Sequence, residues 1–96
     1  MRKVIFRREA RIDVLDAFRW YEGRSPGLGI EFRNAIDSAI ERIARHPETY
    51  AAHERGLRHA LVRRFPYAVY FRLVDHIVLV VGVIHTRRHP RIAKVR

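Results

Sequence analysis

The spacing of apolar residues changes character near the middle of the chain. Val4-Ile5-Phe6 is a short apolar run that reads as a strand. From Ala10 to about Gly23 the apolar positions Ile12, Leu15, Phe18 and Tyr21 fall three or four apart. Asp13, Asp16 and Arg19 lie between them, so this segment predicts an amphipathic helix with those four residues on its apolar face. Ser25-Pro26-Gly27 breaks the pattern. Ser25 is placed to cap a following helix, with Pro26 at its first position, where a missing N–H does no harm.

The second helix is predicted from about Leu28 to Arg45. Phe32, Ile36, Ile40 and Ala44 step by four and are joined by Ala35, Ala39 and Ile43, giving a wide apolar stripe over a length of roughly 27 Å. Pro47 stops it, because the residue before a proline is driven out of the α region. Arg42, Arg45 and His46 stand at its last turn, where cations oppose the helix dipole. So short a turn between two helices predicts an antiparallel hairpin.

Glu48 to Gly56 reads as an irregular connection, after which the period becomes two. Leu57–Phe65 alternates and predicts a strand, which Pro66 interrupts. Ala68–Val74 is β-branched and aromatic, Asp75-His76 fits a two-residue turn, and Ile77–His85 is almost continuously apolar. That last pattern predicts a central strand covered on both faces. The expected fold is α+β: a short N-terminal strand, an α-helical hairpin, then a three-stranded antiparallel meander with the helices on one face. At 96 residues, with no linker and no repeat, one domain spanning 1–96 is expected.

Charge sharpens this picture. The net charge is +10, and it is unevenly placed. Residues 1–48 carry +2, whereas residues 49–96 carry +8, with Glu54 and Asp75 as their only acids. Five of the six histidines also fall in the second half. This half therefore predicts an electropositive face suited to an anionic partner. Eighteen of the twenty basic residues are Arg, a side chain fitted to bidentate phosphate or carboxylate contact, although a coding bias toward Arg accounts for part of that ratio. The longest apolar run, Ile77–Ile84, is too short to cross a membrane, and the N-terminal apolar stretch is too short for a signal peptide. There is no Cys, which excludes disulfides, thiolate metal sites and thiol catalysis, and the expected location is the cytoplasm.

Three groups of residues carry candidate chemistry. Arg63 and Arg64 precede Phe65-Pro66-Tyr67; on a strand they point to opposite faces, and their plainer role is as solvated edge charges that deter aggregation. Tyr70 and Arg72 have the same parity and predict an aromatic–guanidinium pair on one face, a common way to hold bases; the plainer role is a Tyr lying over its sheet. Ile84-His85-Thr86-Arg87-Arg88-His89-Pro90 places a His at a strand exit followed by two Arg. Such a set can serve metal-free RNA cleavage, with His as acid or base and Arg stabilising phosphorane-like charge; a strand-capping His and a solvated basic tail is the plainer account. The histidines show no His-x-x-x-His spacing on a helix, so no metal site is expected. Glu22, Glu31, Asp37 and Glu41 read as helix-surface carboxylates that confer solubility, and Gly27-Leu28-Gly29 as a turn rather than a phosphate loop.

Taken together, the Ser-Pro turn, the Arg45-His46-Pro47 helix exit, Leu57-Arg58, Arg64-Phe65-Pro66-Tyr67, Val69-Tyr70 and Val83-Ile84-His85-Thr86-Arg87-Arg88-His89-Pro90 resemble the RelE/ParE superfamily of toxins from type II toxin–antitoxin modules. The match runs from Arg8 to about Pro90. The resemblance implies a bacterial growth inhibitor neutralised by a co-encoded, acidic antitoxin that folds on binding. Its two branches imply different targets. RelE-like members cleave messenger RNA on the ribosome; on that branch Arg64, Arg72, His85 and Arg87 match the basic and His positions of a metal-free endoribonuclease. ParE-like members poison DNA gyrase without a hydrolytic site. RelE-like nucleases carry an aromatic near the C-terminus, and here no Tyr follows Tyr70. The hairpin and the Phe-Pro-Tyr block look more like the ParE-type, plasmid-stabilisation branch. On that branch Arg63, Arg64, Tyr70, Arg72, His85, Arg87 and Arg88 are expected at the target interface. Neither branch calls for a metal or cofactor. A basic nucleic-acid-binding module without toxicity is the third reading of the charge.

Overall fold

A computed structural model describes residues 1–87. Strand β1 (Lys3–Phe6) leads into helices α1 (Arg8–Arg24) and α2 (Leu28–Arg45). Two short 3-10 turns, Pro47–Thr49 and Glu54–Gly56, precede β2 (Arg58–Leu61), β3 (Tyr67–Val74) and β4 (Ile77–His85). The sheet order is β1-β4-β3-β2. The last three strands form the expected antiparallel meander, and β1 joins β4 in parallel, pairing Lys3 with Ile77 and Phe6 with Val80. The sheet is therefore mixed, and β4 is central as its apolar run requires.

Both helices lie against one face. The core between α2 and the sheet contains Phe32, Ile36, Ala39 and Ile43 against Val69, Phe71, Val78, Val80 and Val83. The predicted stripe of α2 is thus the buried one, with Ile40 at its margin. Helix α1 departs from expectation. It buries Ala10 and Ala17 and packs Val14 and Tyr21 against the core, while Ile12 and Leu15 are each 45% exposed. Small residues allow α1 to lie close to its neighbours, and the helix is rotated so that they face inward.

The turn between the helices also differs from the sequence reading. Ser25 ends α1, its N–H donating to the Tyr21 carbonyl. The residue preceding α2 is Gly27, held at φ +90°, and neither Ser25 nor any other side chain at that position caps the helix. Instead the Glu22 carboxylate reaches across from α1 and accepts the N–H groups of Gly27 and Gly29, both at 2.9 Å. Two of the unpaired donors at the start of α2 are satisfied by a residue of the preceding helix. Gly29 is required at that crossing: a Cβ there would stand 2.8 Å from the Phe18 carbonyl oxygen.

The strand predicted over Leu57–Phe65 is shorter, ending at Leu61. Residues 62–66 turn back, with Arg64 in the left-handed region at φ +72°. The Val62 N–H bonds the Tyr67 carbonyl at 2.9 Å, and buried Val62 and Phe65 pin the loop to the core. Asp75-His76 forms the expected tight turn, with Asp75 at φ +57°, a conformation Asp tolerates better than most residues.

Candidate functional site

Strand pairing decides which candidate residues meet. At the turn Val74 pairs with Ile77, and the register runs regularly to Phe71 with Val80. There it slips: Tyr70 pairs with Gly82, leaving Val81 as the extra residue of a β-bulge. Because side chains alternate, one inserted residue reverses every face beyond it. The bulge therefore places His85 opposite Tyr67, with ring centroids 5.4 Å apart and edge-on. Without it, His85 would pair with Pro66 and face the other way.

Tyr67 in turn contacts Phe32 at 5.1 Å and Tyr21 at 6.2 Å, so His85 sits at the open end of the β3–β4 pair, near the turn between the two helices and on the helix side of the sheet. Its Nδ1 accepts the Arg87 N–H at 3.3 Å, which leaves the proton of a neutral ring on Nε2. The Thr86 N–H donates to the Pro66 carbonyl at 2.9 Å, bringing the strand exit beside the turn that holds Arg63 and Arg64. Arg63 is exposed there. The Arg64 guanidinium turns to α2 and pairs with Glu31 at 2.9 Å. That pair is largely exposed, so its stabilisation is small. Glu31 is thus a partner to a candidate site residue rather than a solubilising charge alone.

Tyr70 and Arg72 do share a face, as their parity requires, but it is the face away from the helices. Arg72 lies five residues along β3 from Tyr67, roughly 17 Å at the rise of a strand. The arrangement therefore brings His85, Arg64 and Arg87 to one end and holds Arg72 apart from them. The Arg72 Nε donates to the Arg55 carbonyl at 3.2 Å. Tyr70 is 4% exposed within a second apolar cluster of Leu57, Ala68 and Val81, and burial raises its phenol above the ordinary value. Tyr21 is raised as well, first by burial and then by the neighbouring Tyr67. Arg88 lies outside the described residues, as does the tail beyond it.

Two features went unread in the sequence. One is Tyr67 beside His85, which a regular hairpin register would have missed by one residue. The other is a groove of about 380 Å³ between the helices, lined by Phe6, Val14, Leu15, Phe18 and Ile36, with Arg11, Arg33 and Asp37 at its sides. The helical spacing puts Leu15 on the buried face of α1, which conceals the groove. Among the described residues no cluster of three or more His, Asp or Glu is arranged to hold a metal, and no helix is long and apolar enough to cross a membrane.

Residues 4–90 match the family model described as ParE toxin of type II toxin-antitoxin system, parDE. No curated protein matches the chain. Among solved structures, a chain of a chromosomal ParDE TA system from P. aeruginosa superposes with a TM-score of 0.78 at 17% identity, covering 88% of this chain and 96% of that one. A chain of the toxin–antitoxin complex RelBE2 from Mycobacterium tuberculosis superposes with a TM-score of 0.58 at 21% identity, again covering 88% and 96%. At these identities the likeness is one of fold.

Proposed function

The chain belongs to the ParE toxin family of type II toxin–antitoxin systems, and from that premise we propose that it arrests bacterial growth by binding and poisoning DNA gyrase in the cytoplasm. The observation that carries this reading, beyond the family itself, is that the groups RNA cleavage would need are engaged elsewhere or, for Arg72, set apart. His85 presents an edge to Tyr67 and uses Nδ1 on the Arg87 backbone, Arg64 is paired with Glu31, and Arg72 stands on the opposite face. General acid–base cleavage needs such groups within hydrogen-bond reach of one phosphate. A basic end built from Arg63, Arg64 and Arg87 supports a binding surface instead.

The neutralising partner is an acidic antitoxin segment. A chain at +10 attracts such a partner quickly, and the groove between α1 and α2 suits an amphipathic helix, with Arg11 and Arg33 beside its apolar floor. The four-residue edge strand β2 offers a second site, by strand addition.

Induction without antitoxin, followed by pulse-labelling over the first minutes, tests the target. Gyrase poisoning predicts that DNA synthesis falls before protein synthesis and that His85→Ala remains toxic. Protein synthesis falling first, with discrete messenger cuts lost in His85→Ala and Arg64→Ala, would establish the ribonuclease reading in its place.

A further inference from the structure

On the face of the sheet away from the helices, three rings stand in a row, and two of them, His59 and His53, have no part in the toxin reading. Tyr70 on β3 lies 5.3 Å from His59 on β2, tilted by 30°, and His59 lies 5.2 Å from His53, nearly parallel at 19°. The row runs outward across the edge strand and onto the connecting loop. Exposure rises along it: Tyr70 is buried, His59 half-buried and His53 exposed. The row thus ends in an exposed imidazole.

The backbone that carries the outermost ring is held by its own turn. The His53 N–H donates to the Leu57 carbonyl at 2.7 Å, and the His53 carbonyl accepts the Gly56 N–H at 3.1 Å. Between them Arg55 and Gly56 both have positive φ, +59° and +73°. A left-handed Arg is costly, and it persists only where the surroundings fix it. Arg72 provides one such restraint through the Arg55 carbonyl. The turn thus presents an aromatic face with the exposed Arg55 in the same five-residue loop, inside the half of the chain that carries +8.

We propose that His53, backed by His59 and Tyr70, is a stacking platform for an unpaired base of a single-stranded nucleic acid, with Arg55 contacting the adjoining phosphate. An aromatic face beside a guanidinium is the combination that holds bases irrespective of sequence. A duplex does not fit, because its base faces are already covered by their neighbours. This site shares no ring with the His85 end and stands apart from the gyrase reading: either can fail while the other holds.

The test is fluorescence anisotropy of the purified protein with a short labelled oligothymidylate and with an abasic strand of the same length, at several salt concentrations. Wild type is expected to bind oligothymidylate about tenfold more tightly than the abasic strand. His53→Ala is expected to lose that preference, His53→Phe to retain it, and the salt dependence to stay the same, since phosphate contacts persist. Equal binding of the two strands by wild type would overturn the proposal, whatever the variants do. So would an unchanged preference in folded His53→Ala, or its loss in His53→Phe.

Discussion

Glu22 shows how a single side chain can have a role that its spacing conceals. It reads as one of several surface carboxylates, yet it closes the helical hairpin by accepting two N–H groups of α2. Glu22→Ala is expected to cost about 1–2 kcal/mol, the range of a lost helix cap, measured by urea denaturation with an unchanged slope. Gly29→Ala is expected to cost about 1–3 kcal/mol, because the obstructing atom is the backbone oxygen of Phe18 and cannot swing aside. Neither role was legible in the sequence. Ser25 offers the commoner capping chemistry, and only the fold shows that Glu22 reaches the vacant donors first. Tyrosine ionisation is a further residue-scale test. Tyr21 and Tyr70 have raised values, so their neutral forms are favoured on folding. Their contribution is complete below the unfolded value near 10 and is lost as pH rises through the higher folded values. Ultraviolet titration should show Tyr21→Phe and Tyr70→Phe each removing a late-ionising phenol.

At the scale of elements, periodicity located both helices, and the apolar run of β4 marked it as central. It failed where one residue changes everything downstream. The bulge at Val81 lies in a stretch of uniformly apolar residues, so no polar marker betrays the change of face. The same uniformity explains why the Tyr67–His85 contact escaped the sequence reading. Deleting Val81 is expected to close the bulge while keeping Gly82 opposite Tyr70 and His85 opposite Tyr67, so that the ring-to-ring contact with Tyr67 seen by nuclear Overhauser effect persists. The bulge follows the point where β1 stops. Beyond Val80 the edge of β4 is no longer paired to β1, and Asp13 of α1 accepts the Val83 N–H at 2.9 Å in its place. Asp13→Ala is expected to destabilise the fold by about 1–3 kcal/mol, by stranding that donor, and to accelerate amide exchange at Val83. Helix α1 was misread for a related reason: its largest apolar residues do not mark its buried face. Alanines at 10 and 17 do, and alanine carries little hydrophobic signal.

For the whole molecule, the sequence announced a strongly basic second half but not how its charges are distributed in space. The sheet sends Tyr70 and Arg72 to one face and His85 to the other, while strand length separates them further. Residues close in type and number thus form two surfaces. The groove between the helices is a third surface. Leu15→Glu there is expected to weaken antitoxin capture by roughly thirtyfold or more, the scale of a central interface residue, while leaving growth arrest intact. A co-expression rescue assay measures both effects. The central claim, a toxin that acts by binding gyrase rather than by cutting RNA, is tested most directly in a supercoiling reaction with purified gyrase. The account predicts that supercoiling is inhibited and cleaved DNA accumulates, with His85→Ala as potent as wild type. Unimpaired supercoiling at saturating protein, together with His85-dependent cleavage of ribosome-bound messenger RNA, would contradict it.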